Sequence, residues 1–346
     1  MEEVLASGQI AQGEKTEEFE KNFAAFAIRR FAVAVSSGSS ALHLSLLALG
    51  VSPGDEILFP SFTCVALLHA VAAVRARPVL SDIDGEDFNL SVRELKKKIS
   101  RKTRAILVPH AFGRAAGIKD ILGLGVPVLE DGTQALGASR GGKKVGSFGA
   151  LSLFSFYATK MMTTGEGGIV LTDSAKFAER VRDLRDYDKK KDYRWRTNSK
   201  MTDLEAAMGL AQLRKLPSFI EARRKVAAFY QTALADLKLG LPPQERGGDH
   251  VYFRYVLRVP RNAGPLIREL NAKKIEAKAP LFRPVHRYLG LRDSDFPETS
   301  RAMKEACSLP IYPLLDSESA AEVSAAVRSF VGGRSVPRTS YAAASP

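Results

Sequence analysis

The sequence FAVAVSSGSSALHLSLLALG, residues 31–50, decides the fold. Residues 31–35 are an uninterrupted apolar run, which predicts a short buried strand. Residues 41–50 are mostly leucine and alanine and end in Gly50, which predicts a buried helix with a glycine at its C-terminus. A buried strand that leads through a short turn into a buried helix is the repeating unit of α/β folds.

The serine-rich turn between this strand and helix is suited to an anion. We expect Gly38 to let the backbone turn sharply, and Ser39 and Ser40 to place hydroxyl and N–H groups at the start of the helix. A helix start of this kind binds phosphate well. An ordinary helix cap needs only one such serine, so the pattern by itself fits either interpretation.

The chain continues to alternate between helices and strands. Helices are predicted at 14–27, 62–74 and 201–216, and the last begins with a capping box of Thr202 and Glu205. Apolar strands are predicted at 55–60, 77–84, 104–113, 126–132 and, as a neighbouring pair, 150–156 and 167–172. This alternation predicts an α/β fold with a mostly parallel sheet covered on both faces.

The C-terminal part of the chain predicts a second, smaller unit. A long basic helix is expected at about 218–238, and the turn-rich sequence PPQERGGD at 242–249 indicates a boundary. We therefore expect a large domain over 1–240 and a smaller α+β domain over 241–333. The remaining segment, 334–346, is expected to be disordered.

Composition narrows the class of protein. The chain has 346 residues, of which 45% are hydrophobic, enough to bury a large core. It has no apolar stretch long enough to span a membrane, and its acidic start is unlike a secretory signal, so we expect a cytoplasmic protein without membrane contact. Cys64 and Cys307 lie far apart, which favours neither a metal site nor a disulfide framework.

The net charge of +13 permits several kinds of partner. It would suit a nucleic acid, an anionic membrane surface or a phosphorylated substrate. Because the sequence lacks zinc-finger spacing and an aromatic-rich RNA-binding signature, nucleic acid is not expected. The basic segment KKKDYRWRTNSKM, 189–201, is either a solvated face or an arm that reaches an anionic ligand.

Two charged residues follow predicted strands at the edge where parallel sheets bind ligands. Asp131 ends a strand expected to be central, where a carboxylate needs a partner such as a protonated pyridine nitrogen or an arginine. Lys160 lies among phenylalanines and methionines, and desolvation makes a lysine nucleophilic toward carbonyl groups. Taken singly, each has an ordinary alternative: an aspartate that caps the next helix, and a solvated lysine in a turn.

The order of these features points to one cofactor. Pyridoxal phosphate (PLP) needs an anion cup for its phosphate, an acid for its ring nitrogen and an amine for its aldehyde. The chain offers these in order at 36–40, Asp131 and Lys160.

The sequence resembles the DegT/DnrJ/StrS-type sugar aminotransferases, which are PLP-dependent enzymes of the aspartate aminotransferase fold (PLP fold type I). The resemblance runs from about GQIAQGEKTEEFEKNFAAF to CSLPIYPLL, nearly the whole chain. It is carried by AVSSGSSALHLSLLALGVSPGDEILFPSFT, RPVLSDID, VLEDGTQALGA, FSFYATKMMTTGEGGIV and NSKMTDLEAAMGLAQL. It implies a large domain with a mostly parallel sheet and a smaller α+β C-terminal domain.

The resemblance also implies site residues, position by position. Lys160 would be the Schiff-base lysine, Asp131 would pair with the pyridinium nitrogen, and Gln134 would lie on the ring's hydroxyl side. Cys64 stands where the family often has an aromatic side chain stacked on the cofactor, and a cysteine gives a thinner contact. The implied cofactor contacts, these four included, are Gly38, Ser39, Ser40, Cys64, Asp131, Gln134, Ser155, Lys160 and Asn198.

Further implied contacts involve a second subunit and the substrate. Family members are homodimers with shared active sites, so Asn198 would reach the cofactor phosphate of the other subunit. His286 would lie near the sugar, and Arg194 and Arg196 of the basic segment are candidates to hold a nucleotide diphosphate. Tyr157 departs from the family pattern, which often has histidine there.

The implied function is transfer of an amino group from glutamate or glutamine to a keto-sugar, nucleotide-linked in this interpretation, to give an amino sugar. Lys160 favours transfer, because relatives with histidine at that position act as dehydratases. A dehydratase, a transaminase for a non-sugar ketone such as a cyclitol, and a non-catalytic regulatory or nucleic-acid-binding protein are the alternatives.

Overall fold

The computed structural model describes residues 1–243 and 250–332. The strands within them are β1 (Phe31–Val35), β2 (Glu56–Pro60), β3 (Arg77–Ser81), β4 (Thr103–Pro109), β5 (Val128–Asp131), β6 (Ser139–Arg140), β7 (Lys143–Lys144), β8 (Leu151–Ser155), β9 (Gly168–Thr172), β10 (Tyr255–Arg258) and β11 (Ala306–Leu309). The helices are α1 (Glu2–Ser7), α2 (Glu14–Ala27), α3 (Gly38–Ala48), α4 (Ala66–Ala73), α5 (Val92–Lys96), α6 (Ile118–Leu122), α7 (Ala175–Arg185), α8 (Asp203–Leu234), α9 (Gly264–Ala272), α10 (Val285–Tyr288), α11 (Pro297–Glu305) and α12 (Ser317–Val331).

One large sheet organises the N-terminal part of the chain, in the order β1-β9-β8-β5-β4-β2-β3. The pairs from β3 across to β8 are parallel, and β9 runs antiparallel to both of its neighbours. The predictions of a mostly parallel sheet and of paired strands at 150–156 and 167–172 are therefore confirmed. β5, which ends in Asp131, is the middle strand of the order, as expected.

Helices cover both faces of this sheet. On one face, α3, α4 and α7 pack their apolar side chains on the strands. On the other, α2 places Phe19 and Phe23, four residues apart, against the sheet. The ring of Phe19 packs edge-on against Phe156 at 5.3 Å between centroids, and Phe23 against Phe154 at 5.5 Å. These aromatic contacts join α2 to the strand that leads toward Lys160.

The stretch at 31–50 folds largely as predicted. β1 ends at Val35, and α3 follows after a turn of two residues. Ser37 caps α3, because its hydroxyl accepts a hydrogen bond of 3.0 Å from the N–H of Ser40. Gly50 takes a positive φ of 75° just after the helix, as expected for a terminating glycine.

The boundaries of two other elements differ from the predictions. α4 begins at Ala66, not at residue 62, because residues 62–64 form a loop after β2. The helices predicted at 201–216 and 218–238 form the single helix α8, which runs through Pro217. Proline removes one backbone hydrogen bond there, but Leu216 and Ile220 stay buried on either side of it. The predicted capping box of Thr202 and Glu205 is confirmed.

The C-terminal residues form the smaller α+β unit. β10 and β11 pair antiparallel, and α9 and α12 pack with them in a separate core. The C-terminal half of α8 contributes Tyr230 and Leu234 to that core. Arg223, also on α8, is buried and donates hydrogen bonds to the carbonyl oxygens of Tyr252 at 3.2 Å, Phe253 at 3.3 Å and Ile311 at 2.8 Å. α8 thus belongs to both cores.

The division of the chain into domains stays a prediction. A boundary at residue 240 would separate the C-terminal half of α8 from the core it helps to form. Most of the turn-rich segment at 242–249, and all of 334–346, lie outside the described residues. No helix in the described part of the chain is long and apolar enough to cross a membrane.

Two buried aspartates cap helices that are distant in sequence. Asp203, the first residue of α8, accepts hydrogen bonds from the N–H groups of Gly13, Lys15 and Thr16 and from the Thr16 hydroxyl, all between 2.7 and 3.1 Å. These groups surround the start of α2, so Asp203 satisfies amides that the helix itself cannot. Asp82, which follows β3, binds the N–H groups of residues 298 and 299 at the start of α11 in the same way.

We expect Asp203→Ala to lower the free energy of unfolding by about 2–4 kcal/mol, because it leaves several buried donors without an acceptor. Urea denaturation followed by circular dichroism measures the change. Asp316→Ala is the matched control, since Asp316 caps α12 locally through the Ser319 N–H at 2.7 Å. Its loss should cost about 1 kcal/mol. Equal losses for the two variants would contradict a special role for Asp203.

Candidate active site

The carboxyl ends of the parallel strands open into one cavity of about 630 Å³. That volume is typical of sites for cofactors and small substrates. Its walls come from the start of α3, the loops after β2, β4, β5 and β8, and residues 280–283 of the smaller unit. The sequence-predicted residues that line it are Gly38, Ser39, Cys64, Asp131, Gln134, Ser155 and Lys160.

Lys160 lies in the turn after β8 and faces this cavity. Its backbone N–H donates to the Tyr157 carbonyl at 2.9 Å, and its Nζ lies 5.6 Å from the centre of the Phe253 ring. Burial lowers the pKa of the Lys160 ammonium, the negative charge of Asp131 opposes that effect, and the positive charge of Arg254 adds to it. A larger fraction of this amine is therefore neutral, and so nucleophilic, than of a solvated lysine.

Asp131 and its neighbour Glu130 point in opposite directions, because side chains alternate along β5. Asp131 is 5% exposed and lines the cavity, and its Oδ1 accepts a hydrogen bond of 3.0 Å from the Thr133 N–H. Glu130 is fully buried and accepts hydrogen bonds from the N–H groups of residues 146, 148 and 149. Of the two carboxylates, only Asp131 lines the cavity.

His110, which the sequence interpretation missed, connects Glu130 to the cavity. Its Nε2 lies 3.2 Å from Oε2 of Glu130, and its Nδ1 accepts the Ala116 N–H at 3.0 Å. The second bond requires a lone pair on Nδ1, which places the proton of the neutral ring on Nε2. Burial raises the pKa of Glu130, but its hydrogen bonds to His110 and to backbone amides outweigh burial and leave that pKa lowered.

The start of α3 packs tightly against the end of β8. A Cβ atom at Gly38 would lie 2.7 Å from Cβ of Ser155, so this position needs glycine for lack of space. The expected reason, a backbone turn that needs glycine, does not apply, because Gly38 has no positive φ. A Cβ at Gly168, the first residue of β9, would likewise overlap the carbonyl oxygen of Ser37. The two glycines bring Ser39, Ser155 and the first N–H groups of α3 into one corner of the cavity.

Ser40 is used differently from the expectation. Its N–H donates to the Ser37 hydroxyl, and its own hydroxyl lies 3.1 Å from that of Ser36 and 3.0 Å from that of Ser37. Ser40 does not line the cavity. Ser40 stabilises the turn through these contacts with Ser36 and Ser37. The hydrogen-bond donors that face the cavity in this corner therefore come from Ser39, Ser155 and the backbone.

Three phenylalanines that sequence reasoning missed form one wall of the cavity. The rings of Phe62 and Phe88 stack at 5.7 Å, and Phe112 meets Phe88 edge-on at 5.4 Å. Phe88 and Phe112 have positive φ values of 63° and 56°, which bulky residues rarely adopt. Gln134 Oε1 accepts the Phe112 N–H at 3.0 Å and so fixes this wall to the loop after β5. The three rings come from separate segments, and no local pattern marks them.

His286 does not reach the cavity, contrary to the expectation. It is fully buried, with Nδ1 2.6 Å from the Ser61 hydroxyl and Nε2 2.8 Å from Oδ1 of Asp293. Its ring also stacks on Phe296 at 4.7 Å. These contacts use both ring nitrogens, so His286 attaches α10 to the end of β2 and is not open to a ligand.

The basic segment also lies away from its own chain's cavity. Arg196 is nearly buried and pairs with Asp183 at 3.0 Å and with Asp192 at 2.8 Å. Arg194 is exposed and pairs with Asp192 at 2.5 Å. Asn198 is exposed and does not line the cavity. Within one chain, Arg194, Arg196 and Asn198 are therefore separated from Lys160 and Asp131.

The chemistry of this cavity fits PLP. The corner at α3 presents hydroxyl and N–H donors to an anion, Asp131 presents a carboxylate, and Lys160 presents a desolvated amine. Gly38 leaves no Cβ between that corner and Ser155. Cys64 is exposed at the edge of the cavity, and Tyr157 lines it with about half of its surface exposed.

The model of the DegT/DnrJ/EryC1/StrS aminotransferase family matches residues 1–328. The chain belongs to this family. It is 32% identical over 348 residues to the GDP-perosamine synthase of Vibrio cholerae, covering 95% of each chain. Among solved structures, DesV of S. venezuelae superposes with a TM-score of 0.91 at 34% identity, over 95% of this chain and 92% of that one. NtdA of Bacillus subtilis, solved with its cofactor PMP, gives 0.88 at 26% identity, over 95% and 80%.

Membership in the DegT/DnrJ/EryC1/StrS family settles the class of enzyme. The chain is a PLP-dependent aminotransferase with the aspartate aminotransferase-like fold, which confirms the predictions of fold, cofactor and reaction class. The alternative of a non-catalytic protein is thereby set aside.

We expect Gly38→Ala to weaken PLP binding at least 10-fold, equivalent to about 1.4 kcal/mol, because the added methyl group forces α3 away from Ser155. Titration of the apo-protein, followed by cofactor absorbance, measures the affinity. Binding of pyridoxal, which lacks the phosphate, should change little. Gly117→Ala is the control, since a Cβ there has contacts no closer than 3.9 Å. An unchanged PLP affinity for Gly38→Ala would exclude the corner as the phosphate site.

Proposed function

We propose that this aminotransferase moves an amino group from glutamate or glutamine to a nucleotide-linked keto-sugar and releases an amino sugar. The observation that carries the proposal is the position of Lys160, whose desolvated amine shares one cavity with Asp131 and the start of α3. The choice of a sugar is supported by the relative named GDP-perosamine synthase, which matches 95% of this chain.

In this proposal, each wall of the cavity holds one part of the cofactor. Ser39, Ser155 and the backbone at Gly38 bind the phosphate, and Asp131 keeps a proton on the ring nitrogen. Gln134, which is oriented by its bond to the Phe112 N–H, would lie at the ring's hydroxyl side. Cys64, which lines the same cavity, would lie against the ring.

Lys160 acts as both the anchoring amine and the acid–base group. The bound cofactor supplies an aldehyde and a ring that accepts negative charge. With the cofactor bound, the donor's amine would replace Nζ of Lys160, and the freed Nζ would remove the proton from the donor's α-carbon. Because burial lowers the pKa of Lys160, its amine returns that proton more readily than a solvated lysine would.

We further propose that the enzyme is a homodimer with active sites shared between subunits. Asn198 is exposed and separated from its own cavity, and this fits a residue that serves the partner's cofactor phosphate. The basic segment around Arg194 would then lie beside the partner's nucleotide site. We also propose a cytoplasmic location, because its reducing conditions would keep Cys64 and Cys307 as the free thiols seen here.

We expect Lys160→Ala to lose both the absorbance of the covalently attached cofactor and turnover. Borohydride reduction of the wild-type protein, followed by peptide mass spectrometry, should add the cofactor's mass to the peptide that contains Lys160. Lys144→Ala is the matched control, because burial also lowers the pKa of Lys144, which lies outside the cavity. Normal absorbance and turnover in Lys160→Ala would refute the assignment.

The substrate is tested with a panel of nucleotide-linked keto-sugars and either glutamate or glutamine. A product with the mass of the amino sugar, with 2-oxoglutarate formed from glutamate, supports the proposal. Loss of water from the sugar without consumption of the donor would indicate a dehydratase. Amination of a keto-cyclitol but of no keto-sugar would move the substrate to that class.

The shared site predicts complementation between inactive chains. Lys160→Ala and Asn198→Ala homodimers should each be impaired, whereas a mixture that exchanges subunits forms heterodimers with one intact site. For random exchange, the mixture should recover about a quarter of wild-type activity. Activity no higher than the average of the separate variants would show that Lys160 and Asn198 do not serve the same site across the dimer.

A further inference from the structure

Arg254 is a basic residue of the cavity that has no counterpart among the predicted site residues. It directly precedes β10 and lines the same cavity as Lys160. Its backbone N–H donates to the Phe112 carbonyl at 3.2 Å, which fixes the residue against the aromatic wall. The smaller unit thus places a positive charge directly in the site built by the large sheet.

This positive charge has no acidic partner in the described part of the chain. Among the described residues, the Arg254 guanidinium donates no hydrogen bond and forms no ion pair, although the residue is half-buried. The acid that affects it, Glu276, binds Lys278 at 2.5 Å. A guanidinium withdrawn from water without a partner is costly. Such a cost is offset when a ligand brings the missing anion.

Arg254 and Lys160 lie beside the same ring. Nζ of Lys160 is 5.6 Å from the centre of the Phe253 ring, and the Arg254 guanidinium carbon is 5.7 Å from it. The positive charge of Arg254 also lowers the pKa of Lys160, as expected for two cations in one cavity. An anion bound to Arg254 would therefore share the cavity with the amine that takes part in the reaction.

We propose that Arg254 binds the α-carboxylate of the amino donor. This inference rests on the proposed function, in which the donor's amine replaces that of Lys160. In an α-amino acid, only one carbon separates the amine from the carboxylate, so the carboxylate must lie near Nζ. The planar guanidinium matches a carboxylate with two parallel hydrogen bonds. The phosphates of a nucleotide sugar are separated from the keto carbon by part of the sugar ring, and they fit a more distant cation.

The test separates the two half-reactions. The PLP form is mixed with L-glutamine, or with 4-aminobutanamide, the same molecule without its carboxylate, and the loss of PLP absorbance is followed. Arg254→Gln should raise the apparent Kd for L-glutamine about 10- to 100-fold, the range expected for a lost charged hydrogen bond. Its reaction with 4-aminobutanamide and the second half-reaction with the keto-sugar should match wild type. Arg254→Lys should recover part of the loss.

A control variant shows whether the loss of L-glutamine binding is specific to Arg254. Arg268→Gln removes an exposed arginine of α9 that does not line the cavity, and it should leave every parameter unchanged. An unchanged Kd for L-glutamine in Arg254→Gln overturns the inference. So does a loss confined to the keto-sugar half-reaction, which would assign Arg254 to the nucleotide phosphates.

A binding measurement distinguishes failure of the inference from failure of the proposed function. Calorimetry with glutarate, a dicarboxylate that cannot react, should show weaker binding to Arg254→Gln than to wild type. If the wild-type protein reacts with no amino donor, the proposed function fails, and glutarate binding still decides the role of Arg254. Equal binding of glutarate to both proteins would count against the inference.

Discussion

The close contact between the first turn of α3 and the ends of β8 and β9 is the constraint on which the site depends. Gly38 lies so near Ser155 that even a methyl group would overlap, and Gly168 lies still closer to the Ser37 carbonyl. This approach brings the free N–H groups of a helix start beside two serine hydroxyls. A corner of this kind binds an anion through many short contacts, and it also sets the depth at which any bound cofactor must lie. Lys160, a few residues beyond β8, is positioned by the same packing.

The alternation of side chains along β5 divides two adjacent carboxylates into different roles. Glu130 is surrounded by backbone amides and His110, and it holds the loop between β7 and β8 in place. Asp131 keeps an open face toward the cavity. Because a shift by one residue would exchange the two, the register of β5 against β4 and β8 decides which acid is available for chemistry.

Local sequence patterns predicted the elements whose formation depends on residues close together in the chain. The apolar run at 31–35, the periodicity of α2 and the capping box of α8 all appear where they were predicted. Asp131 and Lys160 reach one cavity because parallel strands end at one edge. The same patterns did not predict side-chain positions that depend on residues distant in sequence. The side chain of His286 is fixed by Ser61, 225 residues earlier, and nothing near it in sequence reveals that contact. The basic segment looked free because part of its acidic partners lies on α7.

The aromatic wall contains site residues that local sequence patterns did not identify. Phe62, Phe88 and Phe112 come from three loops, and two of them have backbone conformations that propensity alone would not assign. Arg254 was not predicted for a similar reason, since it is one of many basic residues and only its place in the cavity that contains Lys160 sets it apart.

The length of helix α8 determines how the two parts of the chain would move relative to each other. It is 32 residues long, about 48 Å, and its two halves belong to different cores. The first half is held by Asp203, whereas Arg223 in the second half donates a hydrogen bond to the carbonyl of Phe253, just before β10. Between them lies Pro217, where the helix lacks a backbone hydrogen bond and bends at least cost. A change in tilt of the smaller unit would therefore be concentrated at this one joint, and the shape of the cavity mouth would follow the flexure of a single helix.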